Sequence, residues 1–538
     1  MNKTLTEKER SMIFWASFLA LMAAGVGFGI RVMSIGIWDK EFGITGAQAG
    51  GLFGQSLWPI AVGMILFSLI VDKIGYKISM LISALCFTAS CLWTIYTKDF
   101  ASAKYSFIIF GFAHGIVEAC INPLCATMYK DQKSKMLNIL HASWPAGVAL
   151  GALVFLLLGA HDSPLLADGA EPFLTWRGMF WFVLAPVAIF GAMFLLCHNY
   201  PEDERVEANV SYTDMMREFG GLGIFLAVTF LFYEFANQLD VLKDGNQKIL
   251  TSLAVGAVAG LTSGFALKSS GKILFFILCV IMIPLATAEL ATDAWIKKLM
   301  EPVLQSEYAI NSGWAIVFSS IVMMVLRFFA GVPLKFMSPP ILLVVSAIFS
   351  TAGLFLLSEV AGVMIFVAFS LYAVGQTFYW PTVLGFTAEQ FPKGGAMTLN
   401  TVSAMGLLTL GIFGTPFLGA KFDDFNAQMI KEKAPIVYET SKSEEVFFGW
   451  KYESVDMAKV EKDLDFTAVE GDKTDSQKEL SANLEQNQRK VLQVAAWFPA
   501  ILGISFLFIA FWYKSRGGYK PVELYKEAHT DENEVAQF

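Results

Sequence analysis

The stretch from Phe110 to Tyr129, FGFAHGIVEACINPLCATMY, is almost wholly apolar, yet it holds His114, Glu118 and Asn122 at steps of four. On a helix those steps place the three side chains along one slowly turning stripe. A carboxylate beside an imidazole in an apolar medium can handle protons, because burial favours the neutral acid and brings protonation within reach of neutral pH. The same spacing also suits a static hydrogen-bonded pair between helices, and that reading stays open. Glu289 and Asp293 form a second pair at i, i+4, with Trp295 close by. They read either as cavity residues or as interfacial acids near a span end. Arg31 is a third unusual group. A guanidinium stays charged and offers a fork to a carboxylate or phosphate. Arg31 has three readings: a substrate-anion site, a partner for Glu118 or Glu289, or a side chain reaching for the membrane interface. Asn122, Gln55, Trp58, Gln376, Tyr379 and Trp380 complete the candidate binding residues, since amides bond hydroxyls and aromatic faces cover sugar C–H faces. No nucleotide loop, metal-ligand cluster or nucleophile–base arrangement accompanies them, so neither an enzyme nor a cofactor is expected.

These groups need a scaffold, and composition says which kind. Only 16% of the 538 residues are charged and 55% are hydrophobic, whereas a soluble chain carries roughly 25% charge. The apolar residues come in blocks of about 20, the length that crosses a bilayer. The expectation is an all-α polytopic membrane protein with fourteen spans. Six lie near 13–37, 47–71, 78–97, 105–128, 138–160 and 178–198. Two more lie near 219–238 and 248–267. The last six lie near 272–295, 311–334, 339–358, 362–387, 397–420 and 493–513. Ile13–Trp38 is too long for a signal h-region and reads as an uncleaved first span. All six cysteines fall in apolar segments and read as buried hydrophobes.

Charge tests the count. With both termini cytoplasmic, the cytoplasmic segments hold 19 Lys and Arg, Arg327 included, and the short outer loops hold 8. That bias agrees with the positive-inside rule. The acidic loop 421–492, with 11 basic and 16 acidic residues, is then outside and carries most of the net charge of −8. Its stretches SVDMAKVEKDLDF and DSQKELSANLEQNQRKVL are helical by pattern. The one basic residue left inside a span is Arg31. Glu234, in the extra pair of spans, reads as an interfacial acid. Small residues such as those of GVGFG, within span 1, read as sites of close helix contact.

An internal echo divides the chain. NPLCATMYKDQKSKMLNILHAS and WPTVLGFTAEQFPKGGAMTLNTVSA each carry a late proline, a charged connection and a Leu-Asn pair, Leu137-Asn138 and Leu399-Asn400. The expected units are a six-helix bundle at 1–198, a linker with two extra helices at 199–271, and a second six-helix bundle at 272–538 that includes the outer loop.

The loop SLIVDKIGYKIS resembles the signature loop of the major facilitator superfamily, with Asp72, Lys73, Gly75 and Lys77 in place and Ser68 where a glycine is usual. The resemblance implies an inner gating motif, with an acid that caps a helix and pairs with a base. RFFAGVPLK in the second half keeps Arg327 and Gly331 but lacks the acid. Within that superfamily, Glu118-Asn122-Pro123, AELATDAWI, and the set Gly375, Pro381, Thr382, Glu389, Phe391 and Pro392 are similar to the fucose/glucose/galactose–proton symporter family. That likeness implies Glu118 as proton site, with His114 sharing or tuning it. Arg31 stands where that family often has an acid, and is more similar to organic-anion symporters.

The expected function is secondary active transport of a small polar solute, a sugar or sugar acid, across the cytoplasmic membrane. Alternating access and proton symport are the expected means, with sodium as the alternative ion. An organic anion bound through Arg31 is the second reading. A non-transporting membrane sensor or assembly protein, working through the outer loop, is the third. Expected partners are the solute, the ion and the bilayer, with no nucleic acid and a monomeric state.

Overall fold

A computed structural model describes residues 5–524 except 45, 162, 168–169, 243, 297–298, 301–303, 305–309, 361, 458 and 461–474. Lys3, Lys243, Lys297, Lys298 and Lys526, among the basic residues of the loops and tails, lie outside the described residues, as does most of KVEKDLDF. Eleven helical stretches are long and apolar enough to cross a bilayer. One of them, Gly50–Ile95, folds back at Gly75 and supplies two spans. The 17-residue helix Phe180–Leu196 adds another, and the interrupted pair Met364–Gln376 and Tyr379–Gln390 adds one more. That makes fourteen crossings among the described residues. Spans 1 to 14 below follow chain order.

The turn at Gly75 shows why a glycine stands there. Its φ of 81° lies in a region that other residues rarely enter. Span 3 then runs back along span 4, where Ser83 Oγ donates to Ala113 O at 2.7 Å and Ser90 Oγ to Ser106 O at 2.6 Å. Such bonds satisfy hydroxyls where no water is present.

Spans 1 (Glu7–Phe42) and 5 (Lys133–His141, then Ser143–Leu158) cross closely at GVGFG. A Cβ on Gly25 would lie 2.5 Å from Trp144 O, and one on Gly147 would lie 2.2 Å from Met22 O. Spans 2 and 4 (Phe100–Met128) cross the same way, at Gly63 and Gly115. Dispersion between closely approaching backbones replaces the hydrophobic effect as the cohesive force between helices in lipid.

The extra pair, span 7 (Tyr212–Gln238) and span 8 (Gly245–Leu267), packs on itself, and span 7 lies over the seam between span 2 and span 13. Span 13 runs from Gly395–Thr409 through a π-helical turn, Leu410–Gly414, into Thr415–Lys433. The helix that carries span 14 runs from Asp475 to Ser515, and its membrane-crossing part is Arg489–Ser515. The ends of spans 1 and 14 define a terminal face.

The connection opposite holds a two-stranded antiparallel sheet, which the sequence pattern did not suggest. β1 (Lys442–Phe447) pairs with β2 (Trp450–Val455), Phe447 opposite Trp450. The Ser454 and Val455 expected in a helix are in β2, while Asp475–Leu492 is helical as expected. The two tip residues, Phe448 and Gly449, both have positive φ, 48° and 81°. That is the backbone of a two-residue hairpin turn. Phe448 stacks on Tyr233 of span 7, with centroids 5.8 Å apart, and touches Phe413 of the π turn.

Close approach gives a stability prediction. Gly115→Ala puts a methyl 2.2 Å from Ile60 O, and Gly36→Ala puts one in open space. Gly115→Ala is expected to destabilise by roughly 1–3 kcal/mol. Gly36→Ala is neutral or slightly stabilising. Thermal melts of both variants in detergent check this.

Candidate functional site

The sequence stripe is one side of a chamber between the first six and last six spans. Its walls include Phe28, Leu57, Ile60, His114, Glu118, His141, Trp144, Glu289, Arg327 and Trp380. A second cavity shares Phe28, Trp144 and Glu289 and adds Asp293, Ser319 and Ser320. The two measure about 40 and 30 Å³, room for a few waters at most.

On span 4, Glu118 Oε2 accepts from Asn122 Nδ2 at 2.6 Å. Asn122 Oδ1 lies 2.9 Å from Nε2 of His141 on span 5. His114 Nε2 is 3.6 Å from Glu118 Oε1, and its ring stacks on Trp144 at 5.2 Å. His114 Nε2 is buried without a hydrogen bond.

The facing wall is an ion pair. Arg327, 1% exposed, donates from Nη2 to Glu289 Oε1 at 2.9 Å, from Nη1 to His141 O at 3.0 Å and from Nε to Thr377 O at 2.6 Å. Glu289 sits on a π-helical turn, Thr287–Ala291, in span 9. Such turns are frequent at functional sites. Its Oε2 is buried without a partner. Asp293 Oδ1 accepts from Tyr372 at 3.0 Å and from Gln376 at 3.1 Å.

Several expectations change here. Arg327 is not a gating-loop base on the terminal face. Span 10 ends at Phe328, and its last turn is drawn inward by Glu289 and two backbone carbonyls. Arg31 is buried but off the chamber. It lies over the Phe110 ring at 4.1 Å and within 5.6 Å of Phe107. Its Nε and Nη1 make no hydrogen bond, and neither Glu118 nor Glu289 pairs with it. Gln55 and Trp58 face span 7: Gln55 Nε2 donates to Gln238 at 2.8 Å, and Trp58 meets Phe235 edge-on at 5.6 Å. Glu234, read as interfacial, is buried and accepts from Gln238 at 2.7 Å. Gln376 stands behind Asp293, and Tyr379 reaches Ser346 O on span 11 (Pro339–Glu359). Trp380 does line the chamber, held by Ser403 at 3.2 Å. His141 was missed, although a histidine in the first apolar turns of span 5 is a visible signal.

Toward the terminal face the halves are bolted together. Asn138 Nδ2 donates to Thr382 Oγ1 at 3.2 Å. Asn400 Nδ2 donates to Ser68 Oγ at 2.8 Å and to Ala119 O at 2.9 Å. Glu389 accepts from the Ser134 amide at 3.1 Å and from its hydroxyl. The two Leu-Asn echoes are thus equivalent crossings. Ser68, the departure from the signature glycine, supplies an acceptor for one of them. Below this layer opens a recess of about 860 Å³, lined by Ser134, Phe328, Glu389 and Tyr519.

The signature loop closes the first half's terminal end. Asp72 pairs with Arg205, and Lys77 Nζ donates to Leu195 O at 2.7 Å and Cys197 O at 3.0 Å. Lys73 is exposed. Buried Asp203 caps the short helix Glu204–Glu207, accepting from the Arg205 amide at 2.9 Å. Burial, then the charge of Asp72, raise its carboxyl to about 6. A raised value means that its stabilising contribution is complete below about pH 4 and disappears as pH rises through 6. Between pH 5 and 7.5 this group should cost the protein about 1–2 kcal/mol. Asp203→Asn keeps the cap and should flatten that part of the stability–pH curve in thermal melts.

The sequence matches the profile of the Major Facilitator Superfamily over residues 15–420. No curated protein sequence matches the chain. The structure is similar to that of a proton:xylose symporter, with 14% identity, 80% of this chain and 91% of that chain covered, and a TM-score of 0.55. It is also similar to the E. coli fucose:proton symporter, with 11% identity, 93% and 98% covered, and a TM-score of 0.54. A human organic anion transporter gives 11% identity, 92% and 99% covered, and a TM-score of 0.55. At these identities the likeness concerns the fold. With the profile match, the fourteen spans and the two bundles around one buried chamber, the chain belongs to the Major Facilitator Superfamily.

Proposed function

We propose that the protein is a secondary active transporter that moves a small polar solute by alternating access, with protons as the coupling ion. The observation that carries this reading is the pair of buried polar atoms without a hydrogen bond, Glu289 Oε2 and His114 Nε2, on two chamber walls from different bundles. Ionisable groups at membrane depth mark solute and ion pathways. The chamber is too small for a sugar as it stands, so solute entry requires the bundles to part, with the site near the midplane between them. Glu118 is the proton site, with His114 beside it. Residues 1–198 and 272–538 are the two moving bodies, and the termini face the cytoplasm.

The lining bears on the solute. All three nitrogens of Arg327 are engaged, and Arg31 lies elsewhere. No free cation among the described lining residues awaits an anion. The chamber instead offers a carboxylate oxygen and the rings of Phe28, Trp144 and Trp380. Those groups suit the hydroxyls and C–H faces of a neutral sugar, so a sugar stands ahead of a sugar acid or another organic anion. Two of the similar structures are of sugar–proton symporters.

Proteoliposomes loaded at alkaline pH and diluted into acid test this, with labelled xylose, fucose and glucuronate as probes. The expected result is accumulation of a neutral sugar that a protonophore abolishes. Glu118→Gln should lower accumulation at least about tenfold, in line with the loss of a residue acting in the coupled step. Uptake driven by sodium and indifferent to pH would overturn the proton reading. Preference for glucuronate, lost in Arg31→Gln, would overturn the neutral-sugar reading.

A further inference from the structure

Three carbonyls around the chamber and the bolts share a sequence property. His141 precedes Pro145 by four residues, Thr377 precedes Pro381, and Ala119 precedes Pro123. Proline has no amide hydrogen, so the carbonyl four residues earlier loses its helical donor. Away from water that carbonyl needs another. Arg327 supplies it to His141 and Thr377, and Asn400 supplies it to Ala119. The prolines thus set where donors can dock: His141 and Ala119 accept across the bundle interface, and Thr377 accepts within the second bundle.

His141 has a second contact that makes its carbonyl more than a seat. Its ring bonds Asn122, which bonds Glu118. One residue therefore touches the Glu118 cluster through its side chain and Arg327 through its backbone. The ionisable groups around this junction are His114 and Glu118 on span 4, His141 on span 5, Glu289 and Asp293 on span 9, and Tyr372 and Tyr379 on span 12. Arg327 is the one cation among them whose charge is independent of pH.

We infer that Pro145 and Pro381 build a two-carbonyl seat for Arg327, and that this seat links the charge of Glu118 in one bundle to Glu289 in the other. The inference rests on the proton-coupled reading above. Protonating Glu118 weakens its claim on Asn122, loosens Asn122 from His141 and shifts the His141 carbonyl. Arg327 then redistributes toward Glu289, and the bolts below it are released or tightened together. Replacing either proline by alanine returns an amide hydrogen that competes for the carbonyl and breaks the link without removing a charge.

The test needs no known solute. Spin labels at Lys73→Cys and Phe336→Cys report the separation of the two bundles at the terminal face. The full chain carries Asp203→Asn, so that the linker carboxylate does not contribute. The expected result is a ratio of closed to open distances that changes at least threefold between pH 5.5 and 8. Pro381→Ala and Pro145→Ala should each reduce that change below 1.5-fold. Pro186→Ala, whose freed carbonyl lies in span 6 away from Arg327, should retain it. If a proline variant does not fold, Arg327→Lys takes its place, since an ammonium cannot span both carbonyls and Glu289, and the same loss is expected. An undiminished change in Pro381→Ala and Pro145→Ala overturns the inference, as does its loss in Pro186→Ala. A parent protein with no pH-dependent change overturns the proton-coupled reading as well.

Discussion

A guanidinium at 1% exposure inside a membrane protein has to be surrounded by acceptors. Arg327 meets that requirement with three different elements, and much of the central architecture follows from the need. Glu289 reaches it from a π turn, His141 from a helix interrupted after its ninth residue, and Thr377 from a helix broken between Gln376 and Tyr379. Each irregularity would be costly in lipid. Each is tolerated because it lies in protein and points at the cation. The facing wall of the chamber and the inward pull on span 10 are arranged around this one charge.

The amino-acid pattern made the fold readable because the bilayer leaves few options. Hydrophobic length gave fourteen spans, and GVGFG marked a real crossing of spans 1 and 5. The site was readable where periodicity carries meaning, as in the His114–Glu118–Asn122 stripe and the Glu289–Asp293 pair. It was unreadable where the answer depended on helix rotation. Gln55, Trp58, Gln376 and Tyr379 have binding chemistry, but spacing along one helix does not say which neighbour a face meets. Arg327 was misread because its distance from a span end suggested a loop. The controlling facts were Glu289, 38 residues earlier in sequence, and two prolines on other helices. Arg31 shows the same limit: a lone intramembrane cation suggests a ligand by its chemistry, while its position over the rings of Phe107 and Phe110 depends on the packing of two helices.

Local pattern also misjudged the outer connection. Amphipathic spacing near Ser454 is compatible with a helix. The strand there is fixed by Phe448-Gly449, a two-residue turn, and by the rings that hold its tip: Tyr233, Phe413 and Phe447. The contacts with Tyr233 and Phe413 are non-local, and periodicity does not register them.

The stacking of Phe448 on Tyr233 has a consequence for how the chain can be handled. The extra helix pair and the outer hairpin, far apart in sequence, meet at this ring pair. Neither is a passive appendage to be trimmed alone, because shortening one removes an aromatic face from the other. A binding protein raised against the hairpin would grip, through that stack, a helix lying over the seam between the two bundles.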